Sequence, residues 1–171
     1  AAAGRVEWSA PDSGSWHVAA IGREPAGLCY TTPDVVERYV DCHFEEYVRR
    51  LGPDLVEDAL AGTFEDELLL FQPEYPHDRT VNVPAGEHVL DRFESEYGAD
   101  PRPRLVGLYE DVGDETPRIR SRYYDVVTTL VEENWFEPLF EWHEDHDLRR
   151  SHDNFGRLSL SKQTIQYGDY F

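Results

Sequence analysis

Lysine is almost absent from this chain, although charged residues are abundant. Of its 171 residues, 35 are acidic and 16 are basic, and Lys162 is the single lysine, which gives a formal net charge of −19. The acids are spread along the chain rather than gathered in a tail. At molar salt the Debye length falls to about 3 Å, so the self-repulsion of such a surface becomes tolerable. The composition therefore predicts a protein from a salt-loving (halophilic) source.

Basic patches, cysteines and long apolar runs are also scarce. Without a basic patch a nucleic-acid partner is disfavoured. Cys29 and Cys42 are the only cysteines, and their spacing predicts neither a disulfide framework nor a metal site. No apolar run reaches the roughly 18 residues of a membrane span, and residues 1–5 lack the apolar core of a signal peptide. We therefore expect no membrane partner and, if the chain is complete, a cytoplasmic location.

Apolar residues are nevertheless numerous enough for a folded core. Hydrophobic residues make up 40 % of the chain and aromatic residues 13 %, so the acidity does not signal disorder. At the amino-terminal end, a turn-rich cluster lies between two strand patterns, over 5–8 with Trp8 and over 15–21 with Trp16, which predicts a β-hairpin and connecting loop over 1–30. A helix is predicted over 33–51, with Thr32 as its N-cap.

The rest of the chain alternates between strand and helix patterns. An apolar run over 58–64 predicts a buried strand, and helical periodicity marks 87–97 and 117–147, the latter kinked at Pro138. A short, polar strand is predicted over 148–152. Such alternation, with long loops after the strands, indicates βα units of a parallel sheet or barrel.

The predicted fold class is α/β. A complete (β/α)8 TIM barrel needs about 250 residues, and this chain offers about two strand–helix units. We therefore expect residues 31–171 to be part of a TIM-barrel catalytic domain, preceded by the hairpin, and the chain to be a fragment of a longer protein.

Three consecutive acids, Glu65, Asp66 and Glu67, directly follow the first predicted strand. In parallel α/β architectures chemistry is placed at the carboxyl ends of strands, which is where Asp66 and Glu67 would lie. A pair of carboxyl groups, one protonated and one ionised, is the machinery of glycoside hydrolysis. The alternative is a solvated acidic loop in an acid-rich protein.

Three polar residues follow the second predicted strand. If the two strands are neighbours, His152, Asp153 and Asn154 line the same barrel mouth as Glu67 and can hydrogen-bond sugar hydroxyls. The alternative is a turn, because Asp-Asn is common turn chemistry.

Histidines and tryptophans on the long predicted helix have plainer explanations. His143 and His146 could share a helix face and bind a metal, but their spacing matches no zinc motif, and a solvated helix end is favoured. Trp135 and Trp142 lie on the apolar stripe, which favours a core position over a sugar-stacking platform.

The order of these motifs resembles a family of TIM-barrel glycoside hydrolases, the α-L-rhamnosidases of family 106. The resemblance runs from about residue 6 to residue 171. The segments that carry it are Trp8…Ala10-Pro11…Gly14…Trp16, the capped helix from Pro33, Phe64-Glu65-Asp66-Glu67, Trp135-Phe136-Glu137-Pro138-Leu139…Trp142 and Tyr167-Gly168-Asp169-Tyr170-Phe171.

The resemblance implies roles for two of the acids. In that family the strand motif is usually Phe-Thr-Asp-Glu-Pro, which Phe64, Asp66 and Glu67 match. Glu67 would then be the catalytic acid, and Asp66 a neighbour that positions or binds. The family inverts anomeric configuration with calcium assistance, so calcium is the implied cofactor. The second carboxylate lies further along the family's chains, and no match for it precedes Phe171.

Four residues depart from the family pattern. Glu65 replaces the small threonine, where it either strengthens the hold of Glu67 on its proton or faces solvent. Leu68 replaces proline, and Arg149 and Arg150 stand where aliphatic residues are expected. These departures allow for a divergent and inactive relative.

Two functions follow as expectations. The first is hydrolysis of terminal α-L-rhamnosidic or related glycosidic bonds, with a carbohydrate as substrate and Glu67 as general acid. The second is a non-catalytic carbohydrate-binding or structural fragment of such a protein, which would expose strand edges and associate with itself.

Overall fold

The computed structural model describes residues 7–23, 29–66, 83–152 and 161–169. No helix in these ranges is both long enough and apolar enough to cross a membrane. The elements in these ranges are α1 (Val35–Cys42), α2 (Phe44–Leu51), α3 (Pro53–Ala59), β1 (Gly62–Glu65), α4 (Glu87–Tyr97), a 3-10 helix (Arg102–Leu108), α5 (Thr116–Val131), a π-helical turn (Glu132–Phe136), α6 (Glu137–Asp145), β2 (Arg149–His152) and α7 (Ser161–Gln166).

The amino-terminal segment is extended but carries no strand. Residues 7–23 make no strand pairing, so the hairpin strand predicted over 15–21 is wrong. Their side chains are exposed, and a two-stranded hairpin without a packing surface is at best marginally stable in water. The turn itself forms, because the Gly14 N–H donates to Asp12 Oδ1 at 2.7 Å, and the Trp8 and Trp16 rings meet edge to face at 6.1 Å.

The helix predicted over 33–51 is divided. It begins at Val35 with Asp34, not Thr32, as its N-cap, and it is interrupted between α1 and α2. The predicted end at Gly52 is confirmed, and its φ of 85° is one that glycine adopts without strain. Pro53 then opens α3, because proline fits the first turn of a helix, where no backbone donor is needed.

The helices after the long gap match the sequence pattern closely. The predicted helix over 87–97 is confirmed as α4, and it ends at Gly98 in the left-handed conformation. The helix predicted over 117–147 corresponds to α5, the π-helical turn and α6 in succession. Pro138 lies in the first turn of α6, directly after the π-helical turn. Since proline donates no backbone hydrogen bond, a change of hydrogen-bond register beside it is expected.

The core forms where α4, α5, the π-helical turn and α6 pack together. Trp135 is 2 % exposed and belongs to this core, as predicted, whereas Trp142 is only half-buried. The buried members of the cluster are Val36, Val89, Leu90, Phe93, Leu108, Ile119, Tyr123, Val126, Val127, Leu130, Val131, Trp135, Phe136, Leu139 and Tyr167.

The two strands form a parallel pair. Gly62 lies opposite Arg149 and Glu65 lies opposite His152. A Cβ atom at Gly62 would overlap the Arg149 carbonyl oxygen, so this close approach requires glycine. β1 starts at Gly62, later than the strand predicted over 58–64, because residues 58 and 59 belong to α3. The parallel pairing of neighbouring strands is confirmed, and the partial barrel stays a prediction.

Candidate functional site at the carboxyl edge of the strands

The carboxyl ends of β1 and β2 lie at one edge, which we call the carboxyl edge (Glu65, Asp66 and His152). Asp66 directly follows β1 and is exposed, and His152 ends β2 opposite Glu65. The structure thus brings Asp66 and His152 to the same edge. The other predicted site residues, Glu67, Asp153 and Asn154, lie outside the described residues.

A buried ion pair lies beneath this edge. Arg150 Nη2 donates to Glu65 Oε2 at 2.6 Å, with the arginine side chain fully buried and the glutamate side chain 14 % exposed. Arg150 Nη1 donates to the carbonyl oxygens of Phe136 and Tyr167, both at 3.3 Å. The guanidinium also lies 5.2 Å from the Phe136 ring centre. The pair therefore links β1, β2 and the helical layer.

Glu65 and Arg150, which both differ from the residues expected from the resemblance, thus form an ion pair with each other. Glu65 does not face solvent; it turns inward to Arg150. A buried ion without a partner costs several kcal/mol, roughly, so neither residue would be tolerated in this place without the other. Arg149 is different, because it is exposed.

Two tyrosines lie close to the same carboxylate. Burial, and then the negative charge of Glu65, raises the pKa of Tyr30 and of Tyr39. Both hydroxyls therefore stay protonated at neutral pH. Both rings pack against Trp135, with centroids 4.8 and 4.9 Å away, which ties this end of the sheet to the core.

His152 has the electrostatics of a neutral imidazole. Burial, and then the nearby Arg150 guanidinium, lowers the pKa of His152 to about 4. The ring packs on Phe136 at 5.6 Å. At neutral pH it therefore carries one N–H donor and one lone pair, which suits hydrogen bonding to a hydroxyl group.

His143 occupies a buried structural position. It is 1 % exposed, so its predicted place at a solvated helix end is wrong. Its Nδ1–H donates to the Leu139 carbonyl oxygen and its Nε2 accepts from Thr63 Oγ1, both at 2.7 Å. Both ring nitrogens are therefore engaged by the protein itself. Position 143 follows Leu139 by four residues on the apolar stripe, which is the signal that indicates burial.

The segment after α7 closes against β2. The Asp169 N–H donates to the Arg150 carbonyl oxygen at 2.6 Å, and the Arg150 N–H donates to Asp169 Oδ2 at 3.0 Å. Tyr167 is buried in the core. Asp169 of the closing motif therefore lies beside β2, a position that the sequence did not predict.

The arrangement of acids and cavities limits the chemistry. Within the described ranges no three histidine, cysteine or acidic side chains converge as a metal group needs, so these residues do not form the implied calcium site, and no step is assigned to the ion. A cavity of about 570 Å³ lies at the other end of the strands, beside Ala61, Leu148 and Arg149.

The carboxyl edge thus combines an exposed carboxylate, a neutral imidazole and a buried ion pair that supports both strands. Carboxylate and imidazole are groups that bind hydroxyl-rich ligands and transfer protons. Comparisons of the chain with protein-family models, with curated proteins and with solved structures found no match.

Proposed function

We propose that this chain is a glycoside hydrolase-like protein that acts on terminal α-L-rhamnosidic or related glycosidic bonds. The observation that supports it is the parallel pairing of β1 with β2, which places Asp66 and His152 at one edge. In TIM-barrel enzymes the active site is built at this end of the strands. Glu67 follows Asp66 directly in the sequence and is the proposed general acid.

The roles divide between acid, neighbour and binding groups. Glu67 protonates the glycosidic oxygen as the bond breaks, and a second carboxylate activates water from the opposite side of the sugar, about 6.5–9.5 Å away in an inverting enzyme. Asp66 positions or binds, and the neutral ring of His152, with Asp153 and Asn154, binds sugar hydroxyls. The inward turn of Glu65 leaves Asp66 as the exposed carboxylate of the described edge.

The test is hydrolysis of a panel of aryl glycosides, including aryl α-L-rhamnosides, at molar salt. We expect a full-length protein that carries this chain together with the second carboxylate to release the aryl alcohol. Glu67→Gln in that protein should lose about 10²–10⁴-fold in rate, because general acid assistance is removed. Circular dichroism and the Tm of the variant should match the wild type, since the change is isosteric.

A matched control separates this effect from the removal of any acid. Glu57→Gln makes the same change at an exposed position of α3 and should leave the rate unchanged. Near wild-type turnover by Glu67→Gln would refute the assignment of the acid. A wild-type full-length protein with both carboxylates that hydrolyses none of the aryl glycosides would refute the enzyme.

One observation favours the alternative, a non-catalytic carbohydrate-binding or structural fragment. The Phe64 side chain is 65 % exposed and points away from the helices, on the sheet face that the described residues leave uncovered. In this alternative the face binds a sugar weakly or associates with another copy. Sedimentation velocity at molar salt distinguishes the cases: association that Phe64→Ser abolishes, with no turnover, supports the fragment.

A further inference from the structure

Arg150 connects the carboxyl edge to parts of the chain that are distant in sequence. Its guanidinium donates to Glu65 on β1, to the Phe136 carbonyl oxygen in the π-helical turn and to the Tyr167 carbonyl oxygen after α7. Its side chain has no solvent exposure. One buried cation therefore holds three segments in a fixed relation.

The backbone of Arg150 is fixed as well. On one side β2 pairs with β1, where Thr63 is the partner of Arg150. On the other side Asp169 accepts from the Arg150 N–H at 3.0 Å and donates to its carbonyl oxygen at 2.6 Å. A shift of β2 along its axis would therefore break main-chain and side-chain hydrogen bonds together.

The ion pair forms in one register only. Side chains alternate between the two faces of a strand, so a slip of one residue would turn Arg150 or Glu65 to the exposed face of Phe64. Buried ion pairs are often no more stabilising than apolar residues of the same volume, and their best supported use is to specify register.

We infer that Arg150 is a positioning residue that sets the register of β1 against β2 and so brings the carboxyl ends of the two strands, with Asp66 and His152, to one edge. Asp66 follows Glu65 by one residue, and His152 follows Arg150 by two. The position of both site residues thus depends on the buried pair. The effect on turnover rests on the proposed function, whereas the placement of the side chains does not.

The burial of the pair should also protect the placement from high salt. Exposed pairs such as Arg49–Asp41, with side chains 56 % and 75 % exposed, are screened by salt. The Arg150–Glu65 pair is shielded from ions by its surroundings. The carboxyl edge should therefore keep its geometry from low to molar salt.

The experiment compares the wild type with Glu65→Leu/Arg150→Met, which replaces the pair by apolar residues and leaves no buried charge alone. NMR signals of the His152 imidazole and of the β1 and β2 amides report the register, and kcat and KM are measured on the best aryl glycoside. We expect a folded double variant with shifted or doubled edge signals. Its kcat should fall about 10²-fold with KM little changed, the scale of a 1 Å misplacement.

Two further variants complete the design. Arg149→Met removes the exposed neighbouring charge and should leave the signals and kcat unchanged. Arg150→Lys keeps the charge but not the planar fork, so it should shift the same signals by less. If the double variant does not fold, Arg150→Lys decides the question: shifted His152 signals at a wild-type Tm support positioning.

Wild-type edge signals in the double variant, or in Arg150→Lys where only that variant folds, would overturn the inference. If the wild-type full-length protein with both carboxylates hydrolyses no glycoside, the proposed function fails. The NMR comparison still decides whether Arg150 sets the register, so the two failures are distinguishable.

Discussion

The buried ring of His143 forms one hydrogen bond through each of its two nitrogens. The His143 ring meets the Leu139 carbonyl oxygen through Nδ1, and a carbonyl oxygen only accepts, so Nδ1 carries the proton. Nε2 then holds a lone pair, to which the Thr63 hydroxyl donates at 2.7 Å. Burial lowers the pKa of His143, which keeps this tautomer neutral. One hydrogen bond thus links β1 to α6.

This bond should contribute measurably to stability. Thr63→Val keeps the shape but leaves Nε2 buried without a donor, so the free energy of unfolding should fall by about 1–3 kcal/mol. Thr63→Ser keeps the hydroxyl and serves as the control. Urea unfolding measures both, and equal stability of the two variants would show that the bond contributes nothing.

The Glu65–Arg150 ion pair could not be predicted from the sequence. Glu65 and Arg150 are diagonal neighbours on the paired strands, since Glu65 lies opposite His152 and Arg150 opposite Thr63. Their hydrogen bond joins residues 85 apart in sequence. From the sequence, Arg150 is a departure from an aliphatic pattern, because burial of a charge depends on a partner that periodicity does not identify. His143 was predictable from its spacing, yet the nearby acids favoured a solvated position.

At the scale of elements, α7 is attached to the helical layer through one carboxylate. Glu132, in the π-helical turn, accepts from Lys162 Nζ at 2.8 and 2.9 Å, from Gln163 Nε2 at 2.9 Å and from the Tyr167 hydroxyl at 3.1 Å. Burial tends to raise the pKa of Glu132, but the three donors together hold it below its usual value. The single lysine of the chain is one of these donors.

Two substitutions should separate the contributions to this attachment. Lys162 is 66 % exposed, so Lys162→Ala should lower the free energy of unfolding by about 0–1 kcal/mol, and less at molar salt. Glu132→Ala also removes the bonds from Gln163 and Tyr167, which are buried, so its cost of about 1–3 kcal/mol should persist at molar salt. Urea unfolding at low and molar salt measures both, and a Glu132→Ala effect that salt abolishes would contradict this account.

Elements with a continuous apolar stripe were the predictable ones. The stripe from Ile119 to Leu139 predicted the helical run of α5 to α6, because burial of one face determines a helix more than its ends do. The strand over 15–21 failed for the opposite reason, since its alternating side chains meet no partner surface. Pro138 predicted an interruption of the regular α-helix near its own position. Periodicity, however, does not distinguish a kink from a π-helical turn.

At the scale of the whole molecule, the described residues form a two-stranded parallel sheet packed against a helical layer. Thr63 and Arg150 face the helices, and Phe64 is exposed on the other face. Sequence reasoning predicted the common edge of the two strands because alternating strands and helices favour parallel neighbours. It did not predict how the edge is supported, because the support comes from the segment after α7.

Buried histidines give the whole molecule a predictable response to acid. Burial lowers the pKa values of His88, His143 and His152, that of His152 to about 4 from 6.5. Between these values the unfolded chain binds protons that the folded chain does not. The stability they contribute is therefore present above about pH 6.5 and is lost as the pH falls. Each such proton costs up to about 1.4 kcal/mol per pH unit.

The net charge of −19 acts in the opposite direction, because acidification relieves self-repulsion. Molar salt screens the repulsion but does not remove the desolvation of the histidine rings. We therefore expect the free energy of unfolding at molar salt to stay level from pH 7.5 to about pH 6.5 and then to fall toward pH 5. His152→Gln should flatten this slope, since one of the three rings no longer titrates. Urea unfolding across that range measures both, and a wild-type slope of zero at molar salt would mean that protonation of these rings does not oppose folding.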